Sequence, residues 1–144
     1  MPRRKFTASR RLAIAQRAGF LCEYRQSPED FSPDSFDIEH IMAVINGGSS
    51  HDDNLALACG GCNGFKHIHT HWNDPETGME TPLFHPRNDK WTEHFSWTED
   101  FTLLRGLTPV GRATIELLQM NRQGLVNLRK ALLAYGAHPG KVGY

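Results

Sequence analysis

A short run of this sequence brings together side chains able to do acid–base and metal chemistry. Glu39 directly precedes His40, Asn54 follows in a turn-rich segment, and Asn63 comes straight after the C-x-x-C of Cys59 and Cys62. An imidazole changes charge near neutral pH, so His40 is the candidate general base. The Glu39 carboxylate and the Asn63 amide oxygen are hard donors of the kind Mg²⁺ or Mn²⁺ takes, alongside several retained waters. The cysteines are soft donors, and a closed structural zinc site needs four ligands, of which Cys22, Cys59 and Cys62 supply three. The fourth position of the frame opened by Cys22 is Arg25, a fixed cation that cannot coordinate and opposes a metal ion. This degenerate zinc knuckle is therefore expected to persist as metal-free packing of reduced thiols, with structural Zn²⁺ disfavoured.

These residues must be held by a small scaffold. The chain has 144 residues, of which 39% are hydrophobic, which suits a single domain with a modest core. "TASRRLAIAQRAGFLC" reads as a short helix capped by Thr7 or Ser9 and stopped at Gly19. "FDIEHIMAVI" alternates as a strand does, "NGGSSHDDN" is a turn-rich connection, and "LALAC" is a short return strand or the approach to a helix. "NGFKHIHTHW" carries no strong breaker and continues as a helix, so residues 36–71 read as strand, loop, strand, helix. "NDPETGME" is a turn, "TPLFHPRNDKW" is extended and irregular, and "HFSWTEDFTLLRGL" has the content of a hairpin. Thr108 and Pro109 open a helix; Asn121 can cap a last one, with Leu125, Leu128 and Leu132 on its stripe and Gly136 at its end.

Net charge is zero, but Arg3, Arg4, Lys5, Arg10, Arg11, Arg17 and Arg25 crowd the first segment, an arm that could follow phosphates or simply face solvent. No apolar run reaches membrane-spanning length, and the start lacks the apolar region of a secretory signal. Three cysteines with a C-x-x-C suit a reducing compartment, so a cytoplasmic location without membrane contact is expected.

"CEYRQSPEDFSPDSFDIEHIMAVINGGSSHDDNLALACGGCNGFK" resembles the HNH endonuclease family, in its bacterial branch reading C-E-Y-C, H-I-E-H, G-G, N-L-A-L-A-C and C-N-x-x-K. The likeness extends through "DPETG", "PLFHPR", "WTEHFSW" and "GLTPVGRAT", and departs at Arg25, at Asp37 where histidine is common, and at "HIHTH". It implies an α+β fold: a ββα-metal core of the His-Me finger, treble-clef-like kind over about residues 20–71. A β-hairpin and C-terminal helices would wrap that core over about 72–135, in one nuclease domain spanning 1–144. It also implies a metal-dependent endonuclease acting on DNA, leaving 5′-phosphate and 3′-hydroxyl ends. Catalytic positions would be Glu39, His40, Asn54 and Asn63, with metal on Glu39 and Asn63.

Such hydrolysis needs a deprotonated water, charge stabilisation on the phosphoryl group and help for the departing oxygen, which one imidazole and one divalent cation can supply. Neighbours on a strand point to opposite faces, so Glu39 and His40 share one site only through local distortion or different targets. Asn54 is expected to hydrogen-bond across the loop that presents His40, and Lys66 and Arg87 are candidate phosphate contacts. On a helix Asn63, His67 and His71 share a face, which would make His67 a further metal ligand; on a strand His67, His69 and His71 align together instead; and surface histidines need neither. The alternative function is a catalytically inactive nucleic-acid-binding module on the same scaffold. A zinc deaminase would require H-x-E before P-C-x-x-C, which this sequence does not have.

Overall fold

The computed structural model describes residues 6–140. Arg3, Arg4 and Lys5 of the basic arm lie outside them. The fold is α+β, built from short helices and three separate two-stranded antiparallel sheets. Helix α1 (Ala8–Arg17) starts where the Thr7 hydroxyl accepts a hydrogen bond from the Arg10 amide, and Gly19 beyond its end has φ +63°. A knuckle follows, in which the Cys22 amide donates to the Ser27 carbonyl and the Gln26 amide to the Cys22 carbonyl.

Strand β1 (Asp37–His40) pairs with β2 (Leu55–Ala58), with Glu39 opposite Ala56 and His40 opposite Leu55. Every residue of β2 is buried, which explains why "LALA" shows no alternation. Helix α2 (Gly60–Lys66) begins with the Cys59 sulfur accepting from the Cys62 amide and packs back on β1. The chain order strand, strand, helix is thus as expected, except in its last part. The helix stops at Lys66, and His67 turns the chain with φ +51° although it is not glycine. His71 then opens β3 (His71–Asn73), which pairs with β4 (Glu80–Pro82). Asn63, His67 and His71 therefore do not share a helical face.

The second half wraps this core. A one-turn helix, α3 (Trp91–His94), leads into a hairpin of β5 (Phe95–Trp97) and β6 (Leu104–Gly106). Helix α4 (Pro109–Leu118) has its cap at Thr108, and α5 (Gln123–Tyr135) ends at Gly136 with φ +84°. α4 packs against α2, β3, β4 and β6, and a Cβ at Gly111 would collide with the His94 carbonyl, so only glycine allows that approach. Asp74 closes the outer hairpin onto α4 by accepting from Arg112 Nε (2.9 Å) and a second guanidinium nitrogen (2.8 Å). Asn121 does not cap α5. Its side chain donates to and accepts from Leu104, and its oxygen also takes a bond from Arg129, buried on the face expected to be apolar. The core joins both halves through Tyr24, Phe36, Leu57, Phe84, Trp91, Phe95 and Leu118, and the Trp91 indole donates to the Tyr24 carbonyl at 2.8 Å.

Candidate active site

His40 ends β1, and alternation along the strand places it on the face opposite Glu39. Its Nε2 is 2.9 Å from the Ser50 hydroxyl, and its ring centroid is 5.9 Å from that of Phe6. The loop carrying Ser50 is tied down twice. Asn54 donates to the Met42 (3.0 Å) and Ser49 (2.7 Å) carbonyls and accepts from the Met42 amide (2.9 Å), stapling the end of β1 to the start of β2. Gly48 lies so close beneath that a Cβ there would overlap the Met42 carbonyl. From the other side α1 clamps the loop: Arg10 donates to the Ser50 carbonyl and pairs with Asp52 at 3.0 Å. Arg17 donates to the Asp52 carbonyl at 2.9 Å and the Leu55 carbonyl at 2.6 Å. These arginines of the basic segment thus bind the chain's own oxygens, where the sequence left phosphates or solvent as their partners. Ser50 was not singled out from the sequence, because a loop serine ten residues from a strand histidine carries no periodic signal.

The inner face of β1 is different. Glu39 is 3% exposed, with Oε1 2.7 Å from Lys66 Nζ, and that ammonium also donates to the Ile41 carbonyl at 2.6 Å. Burial pushes the Glu39 carboxyl up, against the pull of Lys66 and of Tyr24. Glu39 does not fit as a ligand for a divalent cation here, since the cation would sit beside an ammonium held in the core. Lys66, 2% exposed, is likewise committed to Glu39 and not presented to a phosphate. Asn63 instead faces Asp37, its Nδ2 donating to Oδ2 at 3.0 Å. Asp37 and Glu39 are two residues apart on one strand face, a period the sequence displayed, but only the packing of α2 decides which acid is enclosed. His67 is exposed at the end of α2, beyond its last turn. Arg87 pairs with Glu23, whose other oxygen accepts from the Leu57 amide, so it ties the wrapping segment to β2, where a DNA contact was expected. Desolvation lowers its pKa to about 10.

The sulfurs of Cys22, Cys59 and Cys62 lie within 4.8 Å of one another, all buried, and could hold a metal ion. Burial raises the Cys22 thiol to about 11, while Cys59 is drawn down by hydrogen bonds from its two neighbours and then by the Arg25 charge. Arg25 is itself 8% exposed, and its Nε has no hydrogen-bond partner. A separate cavity of about 620 Å³ is lined by Met42, Gly48, Asn54, Leu83, His85 and Asp89, among others, and neither His40, Asp37 nor Asn63 reaches it. Asn54 and Lys66 line this open cavity, while His40 lies beside it on β1. Among the described residues no helix is long and apolar enough to cross a membrane.

No curated protein and no solved structure matches this chain. Residues 22–68, which hold the knuckle, both core strands, α2 and the positions of His40, Asn54 and Asn63, match the HNH endonuclease family model.

Proposed function

We propose that this protein hydrolyses phosphodiester bonds of DNA, with His40 as the general base. The observation that carries this reading is the placement of His40, within the matched segment, at the end of a strand whose following loop is fixed by Asn54, Arg10 and Arg17. Ser50 orients the ring through Nε2, and the imidazole takes the proton from the attacking water. Imidazole is the side chain ordinarily suited to taking that proton at neutral pH.

The scaffold is read as the ββα-metal, His-Me finger type, with β1, β2 and α2 as its three elements. A divalent cation, Mg²⁺ or Mn²⁺, would neutralise charge on the phosphoryl group and the departing 3′ oxygen. Lys66 holds Glu39 in an ion pair, and no step is assigned through that carboxylate. A pure binding module would not need His40 held by a dedicated hydroxyl, which favours the enzyme. The thiols of the knuckle suit a reducing compartment such as the cytoplasm.

The test is conversion of supercoiled plasmid in Mg²⁺, Mn²⁺ or chelator. Nicked or linear product only with metal is expected. Undiminished cleavage in chelator would remove the metal, and no conversion under any of these conditions would remove the hydrolase.

A further inference from the structure

The open cavity beside β1 holds hydrogen-bonding groups that the proposed reaction does not use. Its volume, about 620 Å³, falls in the usual range of small-molecule sites. His85 and Asp89 reach it from one turn of the wrapping segment, and Asp53 from the loop just before β2. That turn fixes the tautomer of His85, because Nδ1 accepts from the Arg87 and Asn88 amides, both at 3.2 Å. The ring proton is therefore on Nε2, which has no partner among the described residues. Burial lowers the pKa of His85 more than Asp89 raises it, so the ring is neutral at pH 7. Asp89 accepts from the His85 amide through Oδ2 at 2.8 Å, which leaves Oδ1 unpaired among the described residues. The Asp53 carboxylate has no partner among them either.

Charge decides what class of ligand these groups suit. Lys66, the one lysine or arginine of this wall among the described residues, is spent on Glu39 and the Ile41 carbonyl. A phosphate would meet two carboxylates and no free cation, whereas an amino group would meet acceptors. Met42, Pro82 and Leu83 add apolar surface, which a flat ring can cover. We infer that this cavity takes an unpaired nucleobase bearing an exocyclic amino group. Asp89 and Asp53 accept from the amino group, and His85 Nε2 donates to the ring acceptor beside it. Cytosine and adenine carry that pair of groups, while thymine has a carbonyl in place of the amino group. A base can come from single-stranded DNA, or from a duplex by leaving the stack. The inference rests on the DNA reading for its use. Ile41, the residue after His40, is part of the wall, so the cavity adjoins the proposed general base.

Titration of the isotope-labelled full chain with deoxycytidine, thymidine or inorganic phosphate reads the cavity without using activity. The signals followed by NMR are the His85 ring and the Asp89 amide. Deoxycytidine is expected to shift them at lower concentration than thymidine, and phosphate alone should leave them in place. Asp89→Asn keeps an oxygen for the His85 amide and turns the free oxygen into a donor. Deoxycytidine should then bind about tenfold more weakly, and thymidine at least as well as to the wild type. His85→Asn keeps an acceptor for the Arg87 and Asn88 amides, as asparagine does in such turns, but removes the Nε2 donor. It should weaken both nucleosides without changing the melting temperature. No shift with either nucleoside, the same shifts with phosphate alone, or an unaltered preference in Asp89→Asn would overturn the inference. Nucleoside binding of the expected kind by a chain that cuts no DNA would uphold the cavity and remove the hydrolase. Plasmid cleavage without nucleoside binding would do the reverse.

Discussion

The two faces of β1 carry adjacent polar residues and put them to opposite uses. On the outer face His40 stays half-buried, beside a hydroxyl and an aromatic ring, with the loop around it braced by arginines from α1. On the inner face Glu39 is enclosed, and its charge is met by Lys66 reaching back from the end of α2. The first arrangement leaves a titratable group near water, which chemistry needs. The second removes a charge pair from water, which only the geometry of the folded state makes tolerable. If His40 acts as proposed, neighbouring letters of the motif divide between reaction and architecture, and the strand's alternation makes the division.

The largest effect expected from this contrast is on stability. Lys66→Met leaves Glu39 buried without its partner and should cost about 3–5 kcal/mol, the range for breaking such a pair from one side. Calorimetry should register this as a fall in melting temperature of about 10 °C. A melting temperature equal to the wild type would mean that Glu39 is not confined as described. A smaller effect is expected on the outer face. Ser50→Ala should reduce the cleavage rate by about tenfold through looser placement of the ring and shift the pH–rate profile, with little change in melting. Ser50→Thr, which keeps the hydroxyl, should restore much of the rate. A pH profile unmoved by Ser50→Ala would show that the 2.9 Å contact does not position the base.

The smallest effect concerns the knuckle at the start of α2. Its three sulfurs converge as ligands would, but Arg25 places a fixed charge beside them. Elemental analysis of untagged protein should find clearly less than one tightly bound zinc. Arg25→Cys, which completes four soft ligands, should bind zinc and melt higher. Stoichiometric zinc in the wild type, lost on mutating Cys59, would contradict this.

Much of the scaffold was legible because its signals are local. Thr7 and Thr108 cap helices through their own hydroxyls, Gly136 supplies a left-handed end, and the β1–β2 pair follows from turn residues between two short apolar segments. The end of α2 was not legible. "KHIHTH" contains no glycine or proline, yet His67 takes a positive φ of +51°, of the kind that such a stop normally asks of glycine. The β3–β4 pair was missed for a related reason, since β3 is a short, wholly exposed strand without alternation to betray it. At the site, the order of His40, Asn54 and Asn63 could be read from spacing. The partners of Asp37, Glu39 and Lys66 could not, because alternation tells that two residues share a face but not which face the helix covers.

If Glu39 and His40, adjacent in sequence, do different work, their variants should fail in different ways. Plasmid cleavage and thermal melting of His40→Ala and Glu39→Gln, measured side by side in Mg²⁺, test it most directly. His40→Ala is expected to melt like the wild type and to lose about 10²–10⁴-fold in cleavage rate, the usual contribution of a general base. Glu39→Gln should melt lower and, below its melting temperature, keep most of its rate. Cleavage by His40→Ala at the wild-type rate, or loss of cleavage in Glu39→Gln with unchanged melting, would contradict it.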